Sequence, residues 1–115
     1  MTGQNIHIVD RVELEPGRAR EFVAAYLADY APRAVEIGMT LDGVLLSPPL
    51  WLDDDTNTVT ATWTVRGHAE WWRTAIARRF DAAFTGFWDD VAPLISSRSR
   101  SMAANVDDLD GLCRV

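Results

Sequence analysis

The chain has 115 residues, of which 48% are hydrophobic and 24% charged, and it carries a formal net charge of −6. This composition is typical of one globular domain, and the acidic balance excludes the basic surface that nucleic acid or an anionic membrane requires. No apolar run approaches the ~18 residues of a membrane span, and the N-terminus lacks the features of a secretion signal. We therefore expect a cytoplasmic protein that binds neither nucleic acid nor membrane.

The first part of the chain predicts a strand followed by a helix. Alternation over residues 5–14 predicts strand one, whose inward face carries Asp10 among the apolar side chains Ile6, Ile8, Val12 and Leu14. A turn at Pro16-Gly17 then leads into a helix. Pro32 should kink or interrupt this helix, because proline lacks the amide donor, and Gly38 is a natural stop.

The middle of the chain predicts two strands of unequal regularity. Residues 39–52 predict a strand that Ser47-Pro48-Pro49 breaks, and two prolines are typical of an edge, a bulge or a detour. After a loop of three aspartates, residues 58–66 alternate regularly and predict strand three. Its inward face carries Val59, Ala61, Trp63 and Val65.

Residues 68–95 predict a second helical region that is rich in aromatic side chains. Large apolar residues recur at i+4 spacing and predict one apolar helix face, whose side chains either fill the interior or line a pocket: Trp72, Ile76, Phe80, Phe84 and Trp88. Gly86 marks a kink or a break between two helices, and Arg78-Arg79 is expected on a solvated face. Residues 96–104 predict a weak fourth strand.

We assign residues 1–104 to one domain and residues 105–115 to a C-terminal tail. The tail is acidic and has too little apolar area to pack alone. Two interpretations stay open: a solvated terminus, or a strap that crosses onto a partner subunit. Leu109, Leu112 and Val115 recur at i+3 spacing, which would suit a short helical turn.

The order strand, helix, strand, strand, helix, strand predicts an α+β domain of the ferredoxin-like βαββαβ type. Its four-stranded antiparallel sheet would carry both helices on one face. The other face would display a row of β-branched side chains on strand three, Thr58, Thr60, Thr62 and Thr64. Such a row suits a packed surface better than open water, so we expect a homodimer that forms through the sheet faces.

Three segments resemble the dimeric α+β barrel superfamily, and within it the NIPSNAP-like and antibiotic biosynthesis monooxygenase-like proteins. Residues 11–22, RVELEPGRAREF, are similar to the NIPSNAP opening of a strand, a Pro-Gly turn and a helix. Residues 61–72 resemble a strand-three tryptophan followed by an aromatic helix, and residues 91–95, VAPLI, resemble the segment before the last strand. Together they cover most of residues 5–104.

The resemblance implies a dimeric α+β barrel and a range of activities. These include cofactor-independent oxygenation of aromatic polyketides, isomerisation and cyclisation, as well as members with no known activity. Heme-degrading members use a helix histidine, and no histidine follows His68 here, so we expect no cofactor. We expect no metal site either, because His7 and His68 are the only histidines and the one cysteine, Cys113, is near the end.

Asp10 is the leading candidate for chemistry. Its carboxylate would point towards the helices among apolar neighbours, where it could act as a base that accepts a proton from an acidic carbon or a phenol, or as a polar anchor for the substrate. The alternative is that Asp10 pairs with an arginine such as Arg73. His68, at the start of the second helical region, is a second catalytic candidate as a proton shuttle.

Four aromatic residues are candidates for contact with a substrate: Trp63, Trp71, Trp72 and Tyr26. Large aromatic side chains line apolar pockets, but they also fill small cores. Two functions therefore remain. The first is a small-molecule enzyme (a cofactor-independent monooxygenase, isomerase or cyclase) that acts on an apolar, aromatic or polyketide-like substrate between sheet and helices. The second is a non-catalytic ligand-binding or protein-interaction module of the NIPSNAP-like type.

Overall fold

The computed structural model describes residues 4–112, and the predictions for Cys113 and Val115 lie outside them. A four-stranded antiparallel sheet has the order β2-β3-β1-β4, with helices on one face. Its strands are β1 Asn5–Leu14, β2 Thr40–Ser47, β3 Thr58–Arg66 and β4 Ile95–Ala104. The predicted ferredoxin-like α+β fold is confirmed.

The register of the sheet sets the positions that matter for a site. Strand β1 lies in the interior of the sheet, where Asp10 faces Ala61 of β3 and Arg100 of β4. Ile8 similarly faces Trp63 and Met102. Because directly opposed residues share a face of the sheet, these side chains all point towards the helices.

The first helical layer is interrupted as Pro32 predicts. Helix α1 Ala19–Ala25 continues through a π-helical turn, Tyr26–Tyr30, into α2 Ala31–Glu36. The Ala31 N–H bonds to the Tyr26 carbonyl five residues earlier, which is the hydrogen bond of a π-helix. The turn leaves both tyrosines buried against the sheet.

Strand β2 is an edge strand that ends at Ser47, earlier than the predicted residue 52. The connection to β3 is held by Asn57, which is buried. Its Nδ2 donates to the Leu50 carbonyl at 2.9 Å, and its Oδ1 accepts from the Leu52 N–H at 3.0 Å. The prolines therefore belong to an ordered loop rather than to the strand.

The second helical region is two helices, α3 Gly67–Phe80 and α4 Ala82–Val91. The prediction of a kink or break at Gly86 is wrong, because that residue lies within α4. The break is at Asp81, which has extended backbone (φ −80°, ψ 118°). Its carboxylate accepts from the Ala83 N–H at 2.8 Å and so caps α4.

Because the helix breaks at Asp81, the side of α3 that is buried differs from the side that the sequence predicts. Trp72, Ile76 and Phe80 are 58%, 52% and 75% exposed, so the prediction that they fill the interior is wrong. The i+4 spacing of these residues continues in the sequence from α3 into α4, but the two helices do not share one axis. The buried positions of α3 are instead Thr74 and Arg78. The predicted solvated position is therefore correct for Arg79 and wrong for Arg78.

The described part of the tail folds into a 3₁₀ turn, Val106–Asp108, and a short helix, α5 Leu109–Leu112. Asn105 starts this segment, since its side chain accepts from the Asp107 N–H at 2.9 Å. None of the helices within residues 4–112 combines the length and the apolar character that crossing a membrane requires.

Candidate functional site

A buried polar network lies on the inward face of the sheet. Asp10 is 2% exposed and accepts hydrogen bonds from Arg100 Nε at 2.5 Å and Nη2 at 3.1 Å. The Tyr26 hydroxyl donates to Asp10 at 3.0 Å and accepts from Trp63 Nε1 at 2.7 Å. The sequence candidates Asp10, Tyr26 and Trp63 therefore lie in one connected network.

The partner of Asp10 follows from the strand register. Asp10 and Arg100 are directly opposed on β1 and β4, so the guanidinium can reach both carboxylate oxygens. Asp10 therefore forms an ion pair with an arginine, as the alternative predicts, but the partner is Arg100 and not Arg73. Arg73 is exposed, and it bonds to Glu70 at 2.6 Å and to the Ile37 carbonyl at 2.7 Å.

Tyr30 extends the network towards the helices. Its hydroxyl accepts from Arg100 Nη2 at 2.8 Å, and its ring stacks on Tyr26 with centroids 4.8 Å apart. Burial raises the pKa of both tyrosines, and the nearby Asp10 charge raises each pKa further. Both phenols therefore keep their protons at neutral pH.

A cavity of about 550 Å³ opens beside this network. It lies between the β1 and β4 part of the sheet and helices α3 and α4. Its apolar wall includes four aromatic residues, Tyr30, Trp71, Phe84 and Trp88. Its polar wall includes four arginines, Arg78, Arg79, Arg98 and Arg100. The volume is within the roughly 300–1,000 Å³ that small-molecule sites occupy.

Asp10, Tyr26 and Trp63 lie behind this wall and do not line the cavity. Both Asp10 oxygens already accept hydrogen bonds from Arg100 or Tyr26. The expectation that Asp10 takes a proton directly from a substrate is therefore not supported by the geometry. Asp10 is a positioning residue that holds the Arg100 guanidinium at the cavity wall.

The other arginines of the wall differ in their surroundings. The Arg98 guanidinium lies 3.9 Å over the Trp88 ring, a cation–π contact. Arg78 is buried, and its Nε donates to the Thr74 carbonyl at 3.2 Å. Burial lowers the pKa of Arg78 and of Arg98, and the charge of Arg100 lowers each pKa further.

A second, smaller hollow of about 280 Å³ holds His68. Leu109 of the tail lines it, and Trp71 lines both hollows. His68 does not line the larger cavity beside the Asp10 network, so its role as a proton shuttle stays a prediction. Trp71 rather than Trp72 forms a cavity wall, because successive helix residues point about 100° apart and Trp72 faces solvent.

Neither the arginines of the cavity wall nor three of its aromatic residues, Tyr30, Phe84 and Trp88, were predicted as site residues. In β4, SSRSRSM, the arginines recur at every second position, which places them on one face of a strand. This alternation is visible in the sequence, but only the pairing of β4 with β1 shows that the face with the arginines is the inward one. Arg78 gave no signal of its own, since a basic residue on a helix is most often solvated.

Comparison of the sequence with known proteins identifies no relative. No protein-family model matches the chain, and no curated protein matches it.

Solved structures, in contrast, match over nearly the whole chain. A NIPSNAP family protein of unknown function from Agrobacterium tumefaciens C58 superposes with a TM-score of 0.71 at 10% identity, covering 91% of each chain. A NIPSNAP-like domain protein from Burkholderia xenovorans gives a TM-score of 0.70 at 16% identity, covering 90% of this chain and 87% of that one. The chain has the fold of the NIPSNAP proteins.

The same fold extends to a second group of proteins. A candidate antibiotic biosynthesis monooxygenase from Caulobacter crescentus CB15 superposes with a TM-score of 0.65 at 14% identity, covering 90% of this chain and 92% of that one. These structural neighbours are the two groups that the sequence segments resemble. Because one fold hosts many activities, the function has to be argued from the site.

Proposed function

We propose that the protein is a small-molecule enzyme whose cavity accepts an apolar, aromatic or polyketide-like substrate. The observation that carries this proposal is the cavity of about 550 Å³, with four aromatic residues in its wall and the Asp10–Arg100 pair at its base. Flat rings pack favourably against Trp71, Phe84 and Trp88. A core closed by its own side chains would leave no such space.

The geometry suits reactions that pass through a substrate anion. Cofactor-independent oxygenation, isomerisation and cyclisation all begin with loss of a proton from an activated carbon or phenol, and Asp89, the carboxylate that lines the cavity, is the group that can accept it. Arg100 uses Nε and Nη2 to bond Asp10, which leaves Nη1 available to a ligand oxygen. A guanidinium fixed in this way stabilises developing negative charge without reorganising during the reaction. Asp10 contributes by fixing that donor.

The binding part of the proposal is tested by a ligand screen that reads tryptophan fluorescence. Aromatic, polyketide-like and steroid-like compounds should quench or shift the emission of Trp88 and Trp71, which line the cavity. The Trp88→Phe variant should lose much of that signal. The matched control is Trp72→Phe, which removes an exposed indole and should keep it. If no compound of the three classes changed the tryptophan fluorescence, the proposal would be contradicted.

The catalytic part needs detection of a product. Ligands found in the screen are incubated with the protein in air and under nitrogen, and the mixtures are compared by mass spectrometry. A product only in air indicates oxygenation, whereas an isomer or cyclised product in both indicates proton-transfer chemistry. Arg100→Met should abolish turnover, since it removes the donor that contacts the substrate anion.

The second candidate function is a non-catalytic ligand-binding module. One observation favours it: within residues 4–112, neither a histidine nor a carboxylate other than Asp89 lines the cavity beside the Asp10 network, so no buried base faces a ligand. Tight binding of a compound that stays chemically unchanged in air and under nitrogen would favour this function over the enzyme.

We also propose that the open face of the sheet packs against a second copy of the chain. Val9 and the four threonines of β3 are half-buried on this face, and Leu45 is exposed there. Sedimentation at micromolar concentration should give twice the 12.8 kDa chain mass. Val9→Glu should yield monomer, whereas the control Ala24→Glu, on an exposed helix surface, should not. A monomeric wild-type protein would contradict this assembly.

A further inference from the structure

The cavity wall carries more positive charge than its own carboxylates neutralise. Arg100 is paired with Asp10. Arg78 and Arg98 also line the cavity, but neither forms an ion pair with a carboxylate in the described part of the chain. Asp89 is a further lining residue, and it is exposed and unpaired among the same residues. A chain with a net charge of −6 thus places unneutralised cations around one cavity.

Arg78 is the most unusual of these cations. The residue is only 9% exposed, and its Nη1 atom is buried without a hydrogen-bond partner among residues 4–112. Arg78 Nε has a partner in the Thr74 carbonyl, but a buried N–H without a partner is costly because its lost hydration is not replaced. Arg78 also lines the open cavity, so an anionic ligand there would interact with the charge of its guanidinium.

Tyr30 provides a second donor at the same place. Its hydroxyl oxygen accepts from Arg100, and no acceptor for its proton occurs among the hydrogen bonds of the described residues. The hydroxyl keeps this proton at neutral pH, since burial raises the pKa of Tyr30. Tyr30 and Arg78 are near enough to shift the pKa of each other. A neutral O–H and a cationic N–H therefore line one side of the cavity.

We propose that the cavity binds an aromatic carboxylic acid as its anion, with the carboxylate held by the Arg78 guanidinium and the Tyr30 hydroxyl. Two donors match the two oxygens of a carboxylate, and charge-assisted hydrogen bonds are the stronger kind. Arg98 adds positive charge from the sheet side, and the ring lies against Trp71, Phe84 and Trp88. This assignment rests on the proposed function, in which the cavity is the ligand site.

The test compares two ligands that share one ring. Naphthoate is an anion at neutral pH, whereas naphthamide of the same isomer is neutral and nearly the same shape. Binding of each to the full chain is measured by tryptophan fluorescence and by calorimetry. Naphthoate should bind roughly tenfold to a hundredfold more tightly, and added salt should weaken only its binding.

Variants then assign the effect to named residues. Arg78→Met keeps the length and the apolar stem of the side chain, so it should remove most of the preference for naphthoate and weaken naphthamide binding by a much smaller factor, because the amide loses only a neutral acceptor's hydrogen bond. Arg98→Met, on the exposed strand β4, should reduce the preference by a smaller factor. The matched control is Arg73→Met, which removes the same charge from the outer side of α3. Circular dichroism establishes that each variant is folded.

Each outcome bears on the assignment. Equal affinity for naphthoate and naphthamide would overturn the anion site and leave the proposed function standing. Wild-type preference in both Arg78→Met and Arg98→Met would overturn the assignment to these arginines. Binding of naphthyl phosphate tenfold more tightly than naphthoate would overturn the choice of a carboxylate. Failure of all ligands to bind, in a folded protein, would overturn the proposed function and this inference together.

Discussion

The buried network and the cavity wall lie side by side on the same face of the sheet, but they differ in whether their polar groups have hydrogen-bond partners. In the network, Asp10 and Tyr26 each have hydrogen-bond partners, and the atoms are closed off from solvent. In the wall, Arg78 keeps a buried N–H without a partner, and Arg98 is held only by an aromatic ring. One half of the site is complete without a ligand. The other half keeps positive charge that no carboxylate of residues 4–112 pairs with.

The difference separates residues that stabilise the fold from residues that select a ligand. A satisfied buried network destabilises the protein when any member is removed, because its partners are left unpaired. An unsatisfied group adds no stability, so its presence is explained by what it binds. Changes in the two halves should therefore have opposite signatures in stability and in binding.

The largest loss of stability is expected for Trp63→Ala. The side chain is fully buried between β1 and the tyrosines, and its indole donates to Tyr26. We expect the free energy of unfolding to fall by about 3–5 kcal/mol, measured by urea denaturation. Trp72→Ala serves as the control, since it truncates an exposed tryptophan and should change stability by less than about 0.5 kcal/mol. Equal costs would contradict the division between network and surface.

A somewhat smaller loss is expected for Asp10→Asn. The change leaves the Arg100 guanidinium, whose side chain is only 28% exposed, without its charge partner. Stability should fall by about 2–4 kcal/mol, and ligand affinity should fall too because Arg100 is no longer fixed. Asp29→Asn, at an exposed helix position, is the matched control. An Asp10→Asn protein as stable as the wild type would show that the pair is dispensable.

Alkaline pH should weaken the network through its tyrosines. Folding raises the pKa of Tyr26 and of Tyr30, so their stabilising effect is complete below the ordinary tyrosine pKa of about 10 and is lost as the pH rises from there. At about pH 11 the free energy of unfolding should be lower by about 2–3 kcal/mol than at neutral pH.

Tyrosinate absorbance gives an independent reading of this effect. The chain has only 2 tyrosines, so all of the signal reports on the network. The folded protein at about pH 11 should show almost none, and the signal should develop fully when guanidinium unfolds the chain at the same pH. A full tyrosinate signal before unfolding would contradict the burial of both hydroxyls.

The smallest effect on stability, with the opposite sign, is expected in the wall. Arg78→Met replaces an unpartnered buried cation with an apolar side chain of similar length. Without ligand, the free energy of unfolding should rise by about 1 kcal/mol. The Arg73→Met control, which loses a bond to the Ile37 carbonyl, should not be stabilised. A destabilised Arg78→Met protein would show that Arg78 supports the fold.

The strands of the sheet could be predicted because each is indicated by a pattern in residues that are adjacent in the sequence. Residues 5–14 and 58–66 alternate with period two, so both strands and the inward position of Asp10 follow from adjacent residues. The interruption near Pro32 is equally local, since it depends on one missing amide donor. The π-helical turn that results could not be predicted, because it requires knowing how both tyrosines pack on the sheet.

The cavity could not be predicted because it depends on contacts between distant residues. Asp10 and Arg100 are opposed only after β4 pairs with β1, across most of the length of the chain. The break at Asp81 was hidden by an apolar i+4 pattern that continues past it. From that pattern Trp72 is predicted to be buried and Arg78 to be exposed, whereas in the structure Trp72 is exposed and Arg78 is buried.

The position of β4 at the edge of the sheet has an evolutionary consequence. Its inward side chains, Arg98, Arg100 and Met102, alternate with outward serines, and the strand has only one neighbour. Substitutions at these alternate positions would alter the charge and shape of the cavity while the packing between β1 and β3 stays intact. The cavity can therefore change its charge and shape through Arg98 and Met102 on one peripheral strand without rebuilding the core, whereas Arg100 is tied to the core by its bonds to Asp10.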